Sequence, residues 1–212
     1  MSKARRHPIF ARVYARMSPK MEKSGLAEYR RQLLAGLHGR VMEVGAGNGL
    51  NFAHYPPEVT AVVAVEPEPG LRKIANSAPR ESVPVQVVDG VAESLPAADA
   101  SFDAVVASLM LCSVPDVRIA LGEMFRVLKP GGELRFLEHV RADSSRLQRM
   151  QRVADATVWP FLFGGCHVSR DTASEIEQVG FEVECAERFA FPELPFAMPA
   201  SPHVIGRARR PI

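Results

Sequence analysis

Val41-Met-Glu-Val-Gly-Ala-Gly-Asn-Gly-Leu50 decides how this chain is read. Val41, Met42 and Val44 are apolar, and Val41 and Val44 are β-branched, so the stretch starts as a strand. It ends in Gly45, Gly47 and Gly49 at alternate positions. Glycine lets the backbone take positive φ and lets a ligand come close to the main chain. A strand running into such a loop is where open α/β sheets bind nucleotide-like ligands. The dinucleotide fingerprint is G-x-G-x-x-G. Here the third glycine comes one residue early, and Leu50 stands where that fingerprint has Gly. Glu43, two residues before the first glycine, is a poor neighbour for phosphates and a good one for an ammonium group. The expected ligand carries an amino-acid moiety.

Downstream, Val59 to Val65 reads as a fully buried strand ending in Glu66-Pro67. An acid at the end of the second strand, about 20 residues past the glycines, bonds ribose hydroxyls in nucleotide-binding α/β units. Glu66 fits that role, with a charge at a helix N-terminus as the plainer alternative. Further strands are expected over 83–88, 101–109, 133–137, 181–189 and 203–209, and helices over 70–78, 117–128, 145–158 and 169–179. Lys129-Pro-Gly-Gly132 is expected as a turn.

The pattern E-x-G-x-G-x-G from Glu43 to Gly49 resembles motif I of the class I S-adenosylmethionine (SAM) methyltransferases. Gly90 and Glu93 match a further motif of those enzymes, but Val91 stands where they have an Asp for the adenine amino group. Asp89 and Glu93 are alternative carboxylates for it. Leu111-Cys-Ser-Val114, the run from Glu123 to Gly132, Glu138-His-Val140 and Gly165-Cys166 with Arg170 look like one subgroup, the alkyl-thiol methyltransferases. The resemblance implies an α/β, Rossmann-like sheet of seven strands flanked by helices, its last strand antiparallel. It implies SAM as cofactor, S-adenosylhomocysteine as product, and a small, apolar acceptor such as a thiol. Candidate cofactor residues are Glu43, Gly45, Ala46, Gly47, Asn48, Gly49, Asn51, Glu66, Pro67, Gly90, Val91, Ala92, Ser108 and Leu109. Candidates for a catalytic base are His139 and His167, with Glu138 as orienting partner. The alternatives are a non-catalytic SAM-binding regulatory protein, or a methyltransferase acting on a phospholipid amine or RNA.

Residues 1–39 are expected as a helical cap or lid over a SAM-binding domain at 40–212. One helix is expected around Ile9 to Met17, broken at Ser18-Pro19, and a second from Glu22 to Leu37. Arg5, Arg6, Arg12, Arg16, Lys20, Lys23, Arg30 and Arg31 make this segment basic. It reads as a solvated cap, or as a lid that also touches an anionic membrane surface. Tyr14 is placed to reach the cofactor. Trp159-Pro-Phe-Leu-Phe163 reads either as core packing or as the wall of an apolar pocket.

The 212 residues are 47% hydrophobic and 24% charged, enough for one domain with a full core. A net charge of +2 exerts little pull towards nucleic acid. The three cysteines form no C-x-x-C pair, so neither a disulfide framework nor a metal site is expected. Cys166-His167 alone is too short a pair for a metal. No apolar run approaches the roughly 18 residues of a membrane span. No apolar core follows the basic N-terminus, so no signal peptide is read. The expected compartment is the cytoplasm, with peripheral membrane contact through the basic N-terminus.

Overall fold

The computed structural model describes residues 8–80, 83–192 and 198–212, with Ile9 described by its backbone alone. Lys3, Arg5, Arg6 and Pro195 therefore lie outside the described residues. Seven strands form one sheet: β1 (Gly39–Val44), β2 (Val59–Val65), β3 (Val85–Val88), β4 (Phe102–Ser108), β5 (Leu128–His139), β6 (Glu182–Ala190) and β7 (Pro202–Arg209). Their order is β3-β2-β1-β4-β5-β7-β6. The first five are parallel, and β7 runs antiparallel to both β5 and β6. The expected sheet and its antiparallel last strand are as read from the sequence. Strand order reverses between β1 and β4, so the crevice beyond their carboxyl ends is the natural ligand site.

The alternation of side chains along each strand splits the core into two layers. Val41, Ala104, Val106 and Leu137 face one layer, closed by Leu33, Leu34 and Leu37 around helix α2 (Ala27–Leu34) and by Ala75 of α3 (Pro69–Asn76). Met42, Val44, Val105, Ala107, Leu134 and Phe136 face the other. That layer is closed by Leu121 and Met124 of α4 (Val117–Val127) and Ile176 of α7 (Thr172–Gln178). Each fully buried aliphatic side chain contributes about 1.5–3 kcal/mol. The same alternation puts Glu43 in the α2 layer, a carboxylate among apolar neighbours.

The N-terminal segment corrects the sequence reading. Helix α1 (Pro8–Met21) runs through Ser18 and Pro19 without breaking. Ser18 is buried and accepts a hydrogen bond from Asn48 Nδ2 at 3.0 Å, which holds the helix in place there. The chain bends instead in a wide π turn, Glu22–Leu26, where Gly25 takes φ 119° before α2 begins. A π turn inside a helix is uncommon and sets the angle between the two segments.

The expected turn at Lys129–Gly132 lies within β5, whose pairing with β4 shifts register between Phe102 and Ala104. Helix α5 (Ser145–Asp155) stops before the aromatic run, which forms its own short helix α6 (Trp159–Leu162). The run divides: Trp159 packs against the buried Cys112, Cys166 and Val168, Pro160 lines a cavity, and the other three residues point outward. Phe161 is 85% exposed, Leu162 is exposed too, and Trp159 stacks on Phe163 at 4.2 Å. No helix among the described residues is long and apolar enough to cross a membrane.

Candidate active site

A cavity of about 560 Å³ lies at the carboxyl ends of the parallel strands. Its floor comes from the loops after β1, β2, β3 and β4, and its roof from α1 and the segment after α6. Gly45 and Gly47 take φ of 70° and 57°, a left-handed conformation that suits glycine. A Cβ on Gly45 would lie 2.7 Å from Met110 Cβ, and one on Gly47 would lie 3.3 Å from the Tyr14 ring. The loop is thus pressed between β4's end and α1, with no room for a side chain at Gly45 and little at Gly47.

Glu66 closes the loop from below. Its Oε2 accepts the Gly47 N–H at 2.8 Å and its Oε1 the Glu68 N–H at 2.9 Å. It is 5% exposed, and burial raises its pKa above the ordinary value. Two further carboxylate oxygens near it, Glu68 Oε2 and Glu93 Oε1, are buried without a hydrogen-bond partner among the described residues. Both residues line the cavity. Acceptors left open beside a glycine cradle fit a ligand with ribose hydroxyls and an amino group, as an adenosyl cofactor has. Of the two carboxylates considered for adenine, Glu93 lines the cavity, whereas Asp89 is paired with Arg72 at 2.8 Å.

Gly45, Gly47, Glu66, Pro67, Gly90, Val91, Ala92, Ser108 and Leu109 all line this cavity, as does Tyr14. Leu109 is one of two non-glycine residues with positive φ among those described, at 56°. Such a conformation is strained for a branched side chain and recurs where backbone is aimed at a ligand.

Ala46, Asn48 and Gly49 belong to the loop, and Glu43 and Asn51 stand behind it; none of the five lines the cavity. Glu43 Oε1 accepts from Asn51 Nδ2 at 2.9 Å, and its Oε2 from the Tyr55 hydroxyl at 2.8 Å. Burial pushes its carboxyl up to about 7. Both oxygens are committed to the protein, so Glu43 holds the loop from the core side. Arg30, read from sequence as one of many solvated cations, is 3% exposed. It donates to Glu22 Oε1 at 2.8 Å, Asn51 Oδ1 at 2.9 Å and Ser108 Oγ at 3.0 Å. One guanidinium therefore joins the π turn, the glycine loop and the end of β4. The sequence did carry a signal: Arg30 sits four residues after Leu26 and three and four before Leu33 and Leu34, on the apolar stripe.

The three residues proposed for catalysis are separated. His167 lines the cavity, with Ser113, Gly165 and Pro160 beside it in the wall. Glu138 is fully buried and accepts the N–H groups of Met110 and Leu111 at 2.9 and 2.8 Å, and that of Cys112 at 3.3 Å. Burial pushes its carboxyl up to about 7. It shapes the 110–112 loop and orients neither histidine. His139 does not line the cavity, and its Nδ1 faces Cys112 and Cys166. Arg170 completes the loop's support by donating to the Leu111 carbonyl and, at 2.7 Å, to that of Val114. The far wall, with Phe10 and Ala11 from α1 and Met110, Val114, Pro115 and Pro160, is apolar.

Comparison with known proteins agrees with this geometry. A family profile described as a methyltransferase domain matches residues 42–136. Thiol S-methyltransferase TMT1B of Rattus norvegicus is 37% identical over 94% of this chain and 84% of its own. The Homo sapiens protein of the same name is 35% identical over 82% of this chain and 73% of its own. Among solved structures, a geranyl diphosphate methyltransferase in complex with SAM superposes with a TM-score of 0.68 at 13% identity. That match covers 92% of this chain and 89% of the other, and shows a shared fold.

Proposed function

The chain belongs to the family of SAM-dependent methyltransferases that includes the thiol S-methyltransferases, and from that premise we propose that it methylates a small, apolar thiol. The observation that carries the proposal is one cavity with two unlike ends. At one end are the Gly45–Gly47 backbone, Glu66 and open carboxylate oxygens; at the other an apolar wall containing His167.

When bound, SAM supplies a methyl group already activated on a sulfonium. Gly45 and Gly47 would offer backbone to its amino-acid end, and Glu66 would accept from its ribose hydroxyls. Pro67, Gly90, Val91 and Ala92 would hold the adenine, with Glu93 accepting from its amino group. Ser108 and Leu109 would complete the cofactor side of the cavity. Phe10 and Tyr14 close the roof and exclude water, so α1 acts as a lid. A thiol of pKa about 8.5 is partly ionised at neutral pH, so a weak base suffices. His167 takes that proton. Glu138 acts by holding the loop that borders the acceptor, and Glu43 by holding the glycine loop.

The test is turnover with an added aliphatic thiol, followed by formation of the methyl thioether in wild type and His167→Ala. The expected result is thiol-dependent turnover that falls roughly 100-fold in the variant near neutral pH and recovers as the pH approaches the thiol's own pKa. Equal rates in both proteins would remove His167 from the reaction. SAM binding without turnover on any thiol would overturn the acceptor class.

A second contact follows from the surface. Val13 and Met17 on α1, and Val158, Phe161 and Leu162 around α6, are exposed. Arg12, Arg16 and Lys20 lie on α1, and Arg146, Arg149 and Arg152 on α5, all exposed. We propose that these exposed basic and apolar side chains rest on an anionic bilayer on the cytoplasmic side, where apolar acceptors partition. Co-sedimentation with anionic vesicles, weaker with neutral ones and lost in Phe161→Asp, is the expected outcome.

A further inference from the structure

Three soft ligand atoms, unused by the methyl-transfer reading, converge from three separate segments. Cys112 lies in the loop after β4, His139 is the last residue of β5, and Cys166 follows α6. His139 Nδ1 stands 3.5 Å from Cys112 Sγ and 3.9 Å from Cys166 Sγ. All three atoms lie within 4.8 Å of one another. Around zinc, bonds of about 2.3 Å to sulfur and about 2.0–2.1 Å to nitrogen give tetrahedral sulfur–nitrogen edges of roughly 3.6 Å. The observed edges match that figure to a few tenths of an ångström.

A packed pair of buried thiols would need no histidine. A ring nitrogen carries either one proton or one lone pair, and sulfur is a weak acceptor. Here one nitrogen faces two sulfurs at once, the arrangement of a lone pair and two thiolates around a common centre. The ligands are held before any ion arrives. Glu138 accepts the Cys112 N–H, and the Cys112 carbonyl accepts the His167 N–H at 2.7 Å. Trp159 packs against the cluster that holds both cysteines, and its indole N–H has no partner among the described residues. An open donor beside ligating sulfurs is typical of the surroundings of metal sites. The sequence hid this cluster, because Cys166-His167 are adjacent in the chain while the fold pairs Cys166 with Cys112 and His139.

We propose that Cys112, His139 and Cys166 bind one zinc ion. The ion would cross-link the loop after β4 to the segment after α6. Their neighbours Ser113, Gly165 and His167 form one wall of the cavity.

The experiment uses the full chain, reduced and freed of metal by a chelator, titrated with cobalt(II) as a spectroscopic stand-in for zinc. The expected result is saturation at one equivalent, with thiolate-to-cobalt charge-transfer absorption that one equivalent of zinc abolishes. Cys112→Ser and Cys166→Ser each remove much of that absorption and weaken zinc binding by about two orders of magnitude. Cys185→Ser, at an exposed cysteine in β6, changes nothing. SAM binding by calorimetry shows which variants are folded, and X-ray absorption of zinc-loaded wild type reports two sulfurs and one imidazole without any substitution. No saturable spectrum in wild type, or one that survives Cys166→Ser, overturns the site. Neither readout requires turnover, so failure of the thiol reading leaves this test intact.

Discussion

Arg30 donates to Asn51 Oδ1 at 2.9 Å, which fixes the amide so that its Nδ2 can donate to Glu43. A cation on a helix thereby sets the shape of a glycine loop that it does not line. Arg30→Met leaves Glu22, Asn51 and Ser108 without their donor. Removing one partner from a buried charged network costs about 3–5 kcal/mol. The expected result is a loss of that size in urea unfolding. Arg30→Lys recovers little, because an ammonium cannot reproduce the planar fork that serves three acceptors.

Glu66→Gln keeps the shape of the side chain and removes its charge. The Gly47 N–H retains an oxygen acceptor, while charged hydrogen bonds to the cofactor are lost. The affinity for SAM is expected to fall by about 1.5–3 kcal/mol, roughly 10- to 150-fold. Calorimetry with SAM and S-adenosylhomocysteine measures it. An unchanged Kd would exclude Glu66 from the ribose.

Gly45→Ala meets two obstacles together, a φ of 70° and a clash at 2.7 Å with Met110 Cβ. A destabilisation of about 1–3 kcal/mol is expected, with SAM binding lost before global unfolding. Thermal unfolding with and without SAM separates the two. A variant with wild-type Tm and Kd would show that the loop tolerates a side chain.

Glu138 gives a pH dependence with a definite sign. Burial raises its carboxyl from 4.5 to about 7 in the folded protein. The folded state therefore holds the proton more tightly than the unfolded chain does. That contribution is complete below the unfolded value of 4.5 and is lost as pH rises through about 7. Glu138→Gln lacks this titration. Urea midpoints of the two proteins between about pH 5 and pH 8 should show wild type losing up to about 3 kcal/mol relative to the variant as pH rises. A constant difference across that range would mean that Glu138 is ionised throughout.

Legibility in the sequence followed whether a signal was local. Val41–Gly49 and Val59–Glu66 each declare a strand and its loop within a few residues, so the parallel sheet and the placement of Gly45, Gly47 and Glu66 on the cavity were readable. Glu43 was not, because its neighbours Asn51, Tyr55 and Arg30 meet it only after the chain has folded back. Glu138 and His139 are adjacent, but alternation along β5 sends them to opposite faces of the sheet, away from the role assigned to the pair. Pro19 argues for a break, and tertiary contacts of Ser18 overrule it. The exposed Phe161 and Leu162 read as core packing or pocket wall because apolar composition does not say which way a short helix faces.

The reversal of strand order between β1 and β4 also divides the gene. Everything the cavity takes from β1, β2 and β3 is encoded before residue 94, and the apolar wall with His167 is encoded after residue 107, apart from the α1 roof. Selection can therefore reshape one wall by substitutions in the second half of the chain while the first half keeps its ligand. A recombinant that joins this protein's first hundred residues to the remainder of a homologue inherits its donor side apart from Ser108 and Leu109, and draws its acceptor wall, apart from the α1 roof, from elsewhere.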